Sequence, residues 1–281
     1  MSDTPSLPTG TLMKGKRGLI MGVANDRSIA WGIAQALHAQ GAELAFTYQG
    51  EPFLKRITPL AESLGVKLIM SCDANDDASL DTVFTAVAKH WGGLDFVVHA
   101  IAFSDKEELK GKYLATSRNN FRQTMEISCY SFTAVCQRAV PLMKNGGSLL
   151  TLTYAGAERV MPHYNVMGVA KAALESSVRY LASDLGKENI RVNAISAGPI
   201  KTLAAAGIGD FRYILKWNEL NAPLKRNVTL EDVGGTAVYL ASALGSGVTG
   251  EVLHVDCGYH VVGMKAADAP DIATVTGNEA A

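Results

Sequence analysis

The chain has 281 residues, 48% of them hydrophobic and 19% charged, with a formal net charge of −1. That length and apolar content suffice for one large domain with a sizeable core. The near-neutral balance, with no long basic run, argues against nucleic acid or an anionic membrane surface as the main partner.

The first apolar run, Arg17 to Gly22, is followed by the small and polar stretch Val23 to Ser28 and then by apolar residues at helical spacing from Ile29 to Leu37. This predicts a strand, a tight turn and a helix, with Gly41 as a left-handed stop. A second strand is expected over Glu43–Tyr48, a helix over Pro52–Leu64, a strand over Lys67–Ser71, a helix over Ser79–Trp91 and a strand over Phe96–His99. A long helix is expected from Asn119 to Met143, then a strand over Ser148–Thr153 and a helix from Tyr164 to about Gly186. A strand over Arg191–Ile195, a helix opened by Thr229-Leu-Glu-Asp232 in a capping-box pattern and a strand over Glu251–Asp256 complete the series.

Strands alternating with helices in this way imply crossover connections. The expected fold is therefore a single doubly wound α/β domain, a seven-stranded parallel sheet with helices on both faces. Two stretches interrupt the alternation, Ile101 to Arg118 and Lys201 to Arg226. Both follow strands, so they belong at the C-terminal edge of the sheet, where folds of this kind bind ligands. They are read as substrate walls or lids, or else as decorations and subunit contacts.

The domain is expected over 14–264, between a flexible N-terminus, 1–13, and a flexible C-terminal tail, 265–281. Met1 to Gly10 lacks the apolar core of a secretory signal, and no apolar run reaches the length of a membrane span. Cys72, Cys129, Cys136 and Cys257 form no Cys-x-x-Cys pair and read as reduced thiols of a cytoplasmic protein. The histidines are dispersed, so no metal is expected.

The segment Tyr154 to Lys171 holds two phenols and an ammonium. On one helix, Tyr164 and Lys171 would differ by roughly 20° around the axis and lie about 10 Å apart along it, on one face. A phenol there can donate to a developing oxyanion, and the cation would lower the phenol's pKa and bind a cofactor hydroxyl. The plainer reading makes Tyr164 a core aromatic and Lys171 a solvated lysine. Gly22 to Ser28 is a candidate phosphate loop, although the Gly-x-Gly-x-x-Gly fingerprint is absent and Ser28 is read as a hydroxyl donor. At the end of the second strand Gln49 replaces the usual acidic residue, and Lys55 and Arg56 read as solvated, which favours NADH over NADPH.

These motifs together, Gly22-Val-Ala-Asn-x-x-Ser28-Ile-Ala-x-Gly32, Tyr154, Tyr164-x6-Lys171 and Val192 to Ala204, resemble the bacterial NADH-dependent enoyl-acyl-carrier-protein reductases, a divergent branch of the short-chain dehydrogenase/reductases. The likeness runs from about Lys14 to Met264. It implies a Rossmann-type domain that transfers hydride from NADH to the β-carbon of a trans-2-enoyl thioester in type II fatty acid synthesis. In that reading Gly22, Ser28 and Ile29 line the pyrophosphate, Gln49 the adenosine ribose, Asp73 and Ala74 the adenine and Ile101 the nicotinamide. Ile200, Lys201, Thr202, Leu203 and Ala204 close over the carboxamide and phosphates, and Lys171 holds the nicotinamide ribose. Tyr164 binds the thioester oxygen, Tyr154 positions or protonates substrate, and Ser104 and Ile208 contact it.

The common short-chain enzyme places its lysine four positions after the tyrosine, where this chain has Gly168. The chain also departs from the family pattern itself at Ala74, Ala102 and Ser104, where valine, glycine and alanine are usual. Leu203 to Ile208, with Phe211, Ile214 and Leu215, resembles a mobile substrate loop, and an ordinary amphipathic helix is its plain alternative. Lys201, Arg212, Lys216, Lys225 and Arg226 would suit an acidic acyl carrier protein, or are solvated charges. The long helices Asn119 to Met143 and Tyr164 to Gly186 resemble those that pair subunits in this superfamily, and that resemblance implies a homotetramer. Two other functions stand beside this one: a 3-ketoacyl thioester reductase, and a regulator that binds NAD(H) without turnover.

Overall fold

In the computed structural model, which describes residues 7–272, the apolar runs pair as expected: β1 Arg17–Met21, β2 Glu43–Tyr48, β3 Leu68–Ser71, β4 Phe96–His99, β5 Gly147–Thr153, β6 Ile190–Ala197 and β7 Val252–Val255. All are parallel, in the order β3-β2-β1-β4-β5-β6-β7, so the order reverses between β1 and β4. The strands are mostly unbroken apolar runs because the sheet is covered on both faces. On one face α1 Ile29–Ala39, α2 Glu51–Ser63 and α8 Leu230–Ala241 bury Trp31, Ile33, Ile57, Val233 and Ala237 against Ile20, Phe46 and Val98. On the other, α3 Asp77–Trp91, α5 Ser131–Ala139 and α6 Val166–Leu185 bury Leu80, Phe84, Phe132, Leu174 and Val178 against Leu19, Met21 and Val97.

The capping box is present at α8, with Thr229 Oγ1 accepting from the Asp232 amide at 3.2 Å and Asp232 Oδ2 accepting from the Thr229 amide at 2.9 Å. Gly41 takes the expected left-handed conformation, at φ 92°. Part of the segment 1–13, expected to be flexible, is tied to the domain. Gly10 and Met13 donate backbone bonds to Ala39 and Gln40 at the end of α1, and Met13 is fully buried. Residues 1–6, and 273–281 of the expected tail, lie outside the described residues.

The expected helix from Asn119 to Met143 is broken. α4 spans Arg118–Met125, a π turn Glu126–Tyr130 follows, and only then α5 begins. Ser128 and Ser131 sit in or beside this wider turn, and their hydroxyls bond outside the ordinary ladder: Ser131 Oγ donates to Ile127 O at 2.6 Å, and Ser128 Oγ to Phe103 O at 2.9 Å. π turns of this sort are frequent near functional sites. Within Lys201–Arg226 a further helix forms, α7 Phe211–Asn221, preceded by a 3-10 turn at Ala205–Gly207. No helix among the described residues is long and apolar enough to cross a membrane.

Candidate active site

A cavity of about 360 Å³ opens at the C-terminal edge of the sheet, where the strand order reverses. Folds of this type leave a crevice there because the connections from neighbouring strands diverge to opposite faces. Its walls are Gly22, Ser28 and Ile29 after β1, Ala100–Ser104 after β4, Leu152–Tyr154 at the end of β5, and Ala197–Ile200 with Thr202–Ala205 after β6. Tyr164, Met167, Lys171, Ile208 and Phe211 complete it. The expectation that the two excursions wall a site is met by Lys106 and Leu109 from the first and by Leu203, Ala204, Ala205, Gly207, Ile208 and Phe211 from the second.

The turn after β1 fits a dinucleotide despite its single glycine. Gly22 lies at φ 103°, and a Cβ there would come 2.1 Å from Ala100 O. Ser28 is the N-cap of α1 but its side chain does not cap the helix. Instead Ser28 Oγ accepts from the Ala24 and Asn25 amides at 2.9 and 3.0 Å and contacts Asn25 Oδ1 at 3.3 Å. This hydroxyl thus shapes the turn by accepting the two amides, with its own proton directed toward Asn25 Oδ1. The first amides of α1, at Ile29 and Ala30, have no intrahelical acceptor and bring the positive helix end to the cavity, as a pyrophosphate requires.

Tyr164 is not on the helix. α6 starts at Val166, and Tyr164 sits in the turn before it, between His163 at φ 58° and Asn165 at φ 40°. The face-sharing geometry expected on one helix does not apply, yet the turn delivers the ring to the same cavity as Lys171. Its ring meets Tyr154 edge-on, with centroids 5.1 Å apart and planes at 72°. Both phenols have pKa values raised. Burial is the larger cause for each, joined by Tyr259 for Tyr154 and by Tyr154 and Glu175 for Tyr164. The expected lowering of the phenol's pKa by the lysine is thus overturned, and both groups are protonated donors at neutral pH. Neither hydroxyl has a hydrogen-bond partner among the described residues.

Lys171 is only 5% exposed, and its Nζ donates to Leu152 O at 2.8 Å. Burial lowers its pKa to about 8, against the opposing pull of Cys129 and Glu175. The solvated-lysine reading is excluded by that burial. Gly156 and Gly168 make room for the tyrosine. A Cβ on Gly156 would stand 2.3 Å from Tyr164 Cδ1, and one on Gly168 would stand 2.5 Å from Gly156 O.

Ser104 lines the cavity, but its hydroxyl accepts from Thr124 Oγ1 at 2.9 Å and from Asn120 Nδ2 at 3.2 Å, so it braces the wall. Ile101 and Ala102 line the wall. Gln49, Asp73 and Ala74 follow β2 and β3 on the same sheet edge, outside the lining of this cavity, and Lys201 is exposed and also outside it.

Several residues that shape the site carry no local motif. Ser128 Oγ, fully buried, accepts from the Phe103 amide at 3.0 Å and donates to its carbonyl, fixing the wall after β4. His99 is buried between Ser131 Oγ at 2.8 Å and Thr151 Oγ1 at 3.2 Å. Burial, aided by Lys171, lowers its pKa to about 3. A second chamber of about 210 Å³ shares Tyr154 and Ala197–Pro199 with the first and is walled by Met161, Tyr213, Ile214, Trp217 and Tyr259. Trp217 Nε1 donates to the Tyr259 hydroxyl at 2.8 Å, closing its far side. Leu215, in contrast, packs inward. All four cysteines are buried free thiols, and no group of three or more metal-ligating side chains occurs among the described residues.

Residues 22–260 match the family model described as enoyl-(acyl carrier protein) reductase. The chain is 70% identical over 264 residues to enoyl-[acyl-carrier-protein] reductase [NADH] 1 of Rhizobium meliloti, covering 94% of this chain and 97% of that protein. The crystal structure of the enoyl-(acyl-carrier-protein) reductase of Anaplasma phagocytophilum in complex with NAD superposes with a TM-score of 0.90 at 65% identity, over 95% of this chain and all of that one. The Bacillus cereus enoyl-acyl carrier protein reductase, solved with NADP+ and an indole naphthyridinone, gives 0.89 at 52% identity, over 91% and 100%. With a family model spanning most of its length and relatives this similar, the chain belongs to the enoyl-(acyl carrier protein) reductase family.

Proposed function

We propose that the chain reduces the carbon–carbon double bond of trans-2-enoyl thioesters carried on acyl carrier protein, in type II fatty acid synthesis, with NADH as reductant. The observation that carries the reading is the spacing at the catalytic turn. The position four after Tyr164 is Gly168, where Gly156 O leaves no room for a Cβ, while Lys171 reaches the cavity from one turn further along. That arrangement disfavours the ordinary carbonyl reductase, whose lysine would stand at Gly168. The pair of protonated phenols disfavours a pure binder, which needs no proton donor.

NADH supplies the hydride. Gly22, Ser28 and Ile29 would line its pyrophosphate, Lys171 its nicotinamide ribose, and Ile101, Ile200 and Thr202 to Ala204 its nicotinamide side, while Gln49, Asp73 and Ala74, on the same sheet edge outside the cavity, would take its adenosine. Addition of hydride at the β-carbon moves the double-bond electrons onto the thioester oxygen, and the enolate then takes a proton at the α-carbon. The negative oxygen lies three atoms beyond the carbon attacked, with the α-carbon and the carbonyl carbon between, and Tyr164 stands ready to donate a hydrogen bond to it. Tyr154, packed edge-on against Tyr164, shares the same wall and positions the substrate. Lys171, cationic below about pH 8, supplies the positive charge beside the cofactor ribose.

Exposed Lys201 and Arg212 have no ion pair among the described residues and flank the lid that walls the cavity, which supports docking of an acidic carrier protein there. Lys216, Lys225 and Arg226 contribute less, because they bond to Glu219, Leu220 O and Asp232. The reading extends to a cytoplasmic homotetramer. Phe121, Tyr130 and Tyr180, exposed along α4, the π turn and α6, support a subunit contact on that face.

The test is consumption of NADH and NADPH with crotonyl thioester and with acetoacetyl thioester, by the native protein and by Tyr164→Phe. Turnover of the enoyl substrate with NADH, reduced about 10²-fold in Tyr164→Phe, is expected. Oxidation with the ketone alone would overturn the assignment, and no turnover with either would favour the regulator.

A further inference from the structure

Tyr164 lies between two side-chain-bearing residues in the left-handed region, His163 at φ 58° and Asn165 at φ 40°. Such backbone persists only where its surroundings hold it. Here each neighbour is tied to a different wall of the cavity. Asn165 Nδ2 donates to Leu109 O at 3.0 Å and to Gly111 O at 3.3 Å, on the excursion after β4. His163 Nε2–H donates to Asp210 Oδ2 at 3.0 Å, at the start of α7. Two details mark the second tie as built. Gly209 packs under the imidazole, where a Cβ would stand 3.0 Å from His163 Cγ. Asp210 occupies the N-cap of α7, a position where aspartate commonly caps, yet it makes no side-chain cap bond and turns to His163 instead.

The element so tied is the lid. Ala205, Gly207, Ile208 and Phe211 face the main cavity, and Tyr213 and Trp217 face the second chamber. We propose that His163 is a positioning residue whose bond to Asp210 couples closure of this lid to the setting of the Tyr164 phenol. The proposal rests on the role given above to Tyr164. When the lid closes, the turn carrying the phenol is held from both sides; when the bond is absent, the lid and the phenol move independently.

The full-length protein is tested as His163→Ala, Asp210→Ala, the double variant and His163→Gln, which retains an N–H donor. Hydrogen exchange is read over residues 205–221 with NADH present, and kcat and KM are measured on crotonyl thioester and NADH. For a partly exposed charge-assisted bond, each single alanine variant is expected to raise lid exchange and lower kcat by about three- to tenfold, with the NADH KM changed less than about twofold. The double variant should be no worse than either single, and His163→Gln should recover most of the loss. Multiplicative losses in the double variant, or lid exchange and kcat unchanged in both single variants, would overturn the proposal. Asp210 is at the surface, so its variant keeps the test available if His163→Ala folds poorly. Native protein inactive on enoyl thioesters would refute the assigned reaction, whereas exchange would still decide whether the two residues couple.

Discussion

Replacing Lys171 by methionine should separate the stability of the protein from its binding of cofactor. Burial lowers the lysine pKa from 10.5 to about 8. At about 1.4 kcal/mol per pH unit, that gap opposes the charged ammonium in the folded state by roughly 3 kcal/mol at neutral pH. Methionine has similar length and no charge to bury, but it leaves Leu152 O without its 2.8 Å donor, a loss of about 1–3 kcal/mol. At pH 7 the two effects nearly offset, so the variant should be as stable as the native protein or slightly more so. The pH dependence is the sharper readout. Between about pH 8 and pH 10.5 the unfolded chain holds a proton that the folded chain has released, so native stability rises with pH through that window. From about pH 7 to pH 9.5 the native protein should gain on the order of 2 kcal/mol relative to Lys171→Met. Urea unfolding followed by tryptophan fluorescence, at fixed protein concentration without cofactor, measures the difference directly. A native-minus-variant difference that stays flat or falls across the window would refute the argument. Affinity for NADH should drop in the variant at pH 7, and in the native protein should weaken as pH rises through about 8.

Gly156→Ala places a methyl 2.3 Å from the Tyr164 ring, so kcat on crotonyl thioester should fall by about ten- to a hundredfold while the melting temperature changes little. Equal loss of both would show that the glycine serves the fold alone. Ser128→Ala removes a buried hydroxyl that satisfies both the amide and the carbonyl of Phe103, and should destabilise by about 1–3 kcal/mol in denaturant unfolding. A native-like midpoint would mean that water replaces the hydroxyl. His99, with its pKa lowered to about 3 by burial, should remain neutral at about pH 5, as imidazole nitrogen shifts can report. Because the unfolded chain binds this proton first, stability should decline as pH falls from about 6.5 toward about 3. An imidazolium spectrum at pH 5 would contradict the burial argument.

The fold was largely legible in local pattern. Each of the seven strands, the capping box at Thr229 and Asp232, and the left-handed Gly41 obey short-range rules of periodicity and steric preference. Likewise the candidate residues Tyr154, Tyr164, Lys171 and Gly22 stood out by spacing and type, and Ile200 through the family resemblance, and they do meet at one cavity. The errors arose where a side chain's role depends on what approaches it from elsewhere in the chain. Helical spacing placed Tyr164 on α6, but His163 and Asn165 hold it in a left-handed turn through Asp210 and the Leu109–Gly111 backbone. The π turn escaped notice because Ser128 and Ser131 look like ordinary helix residues until Phe103 and His99 are brought against them. The Ser28 hydroxyl reads as a ligand donor, although the Ala24 and Asn25 amides already engage it, and Ser104, expected to contact substrate, has its hydroxyl engaged by Thr124.

Ionisation was the least accessible property. A lysine seven positions from a tyrosine suggested an acidified phenol, yet Tyr164 is pushed the other way because it is buried among apolar side chains beside Tyr154 and Glu175. The sequence by itself thus determined the strand series, the chemical types available and the unusual interval between Tyr164 and Lys171, since these depend on neighbours within a few residues. Only the tertiary structure decided which hydroxyls remain available, which phenols stay protonated and what holds the catalytic turn. Those properties come from desolvation and from hydrogen-bond partners that, for Ser128, His163 and Asn165, lie 25 to 56 residues away, an approach no local pattern encodes.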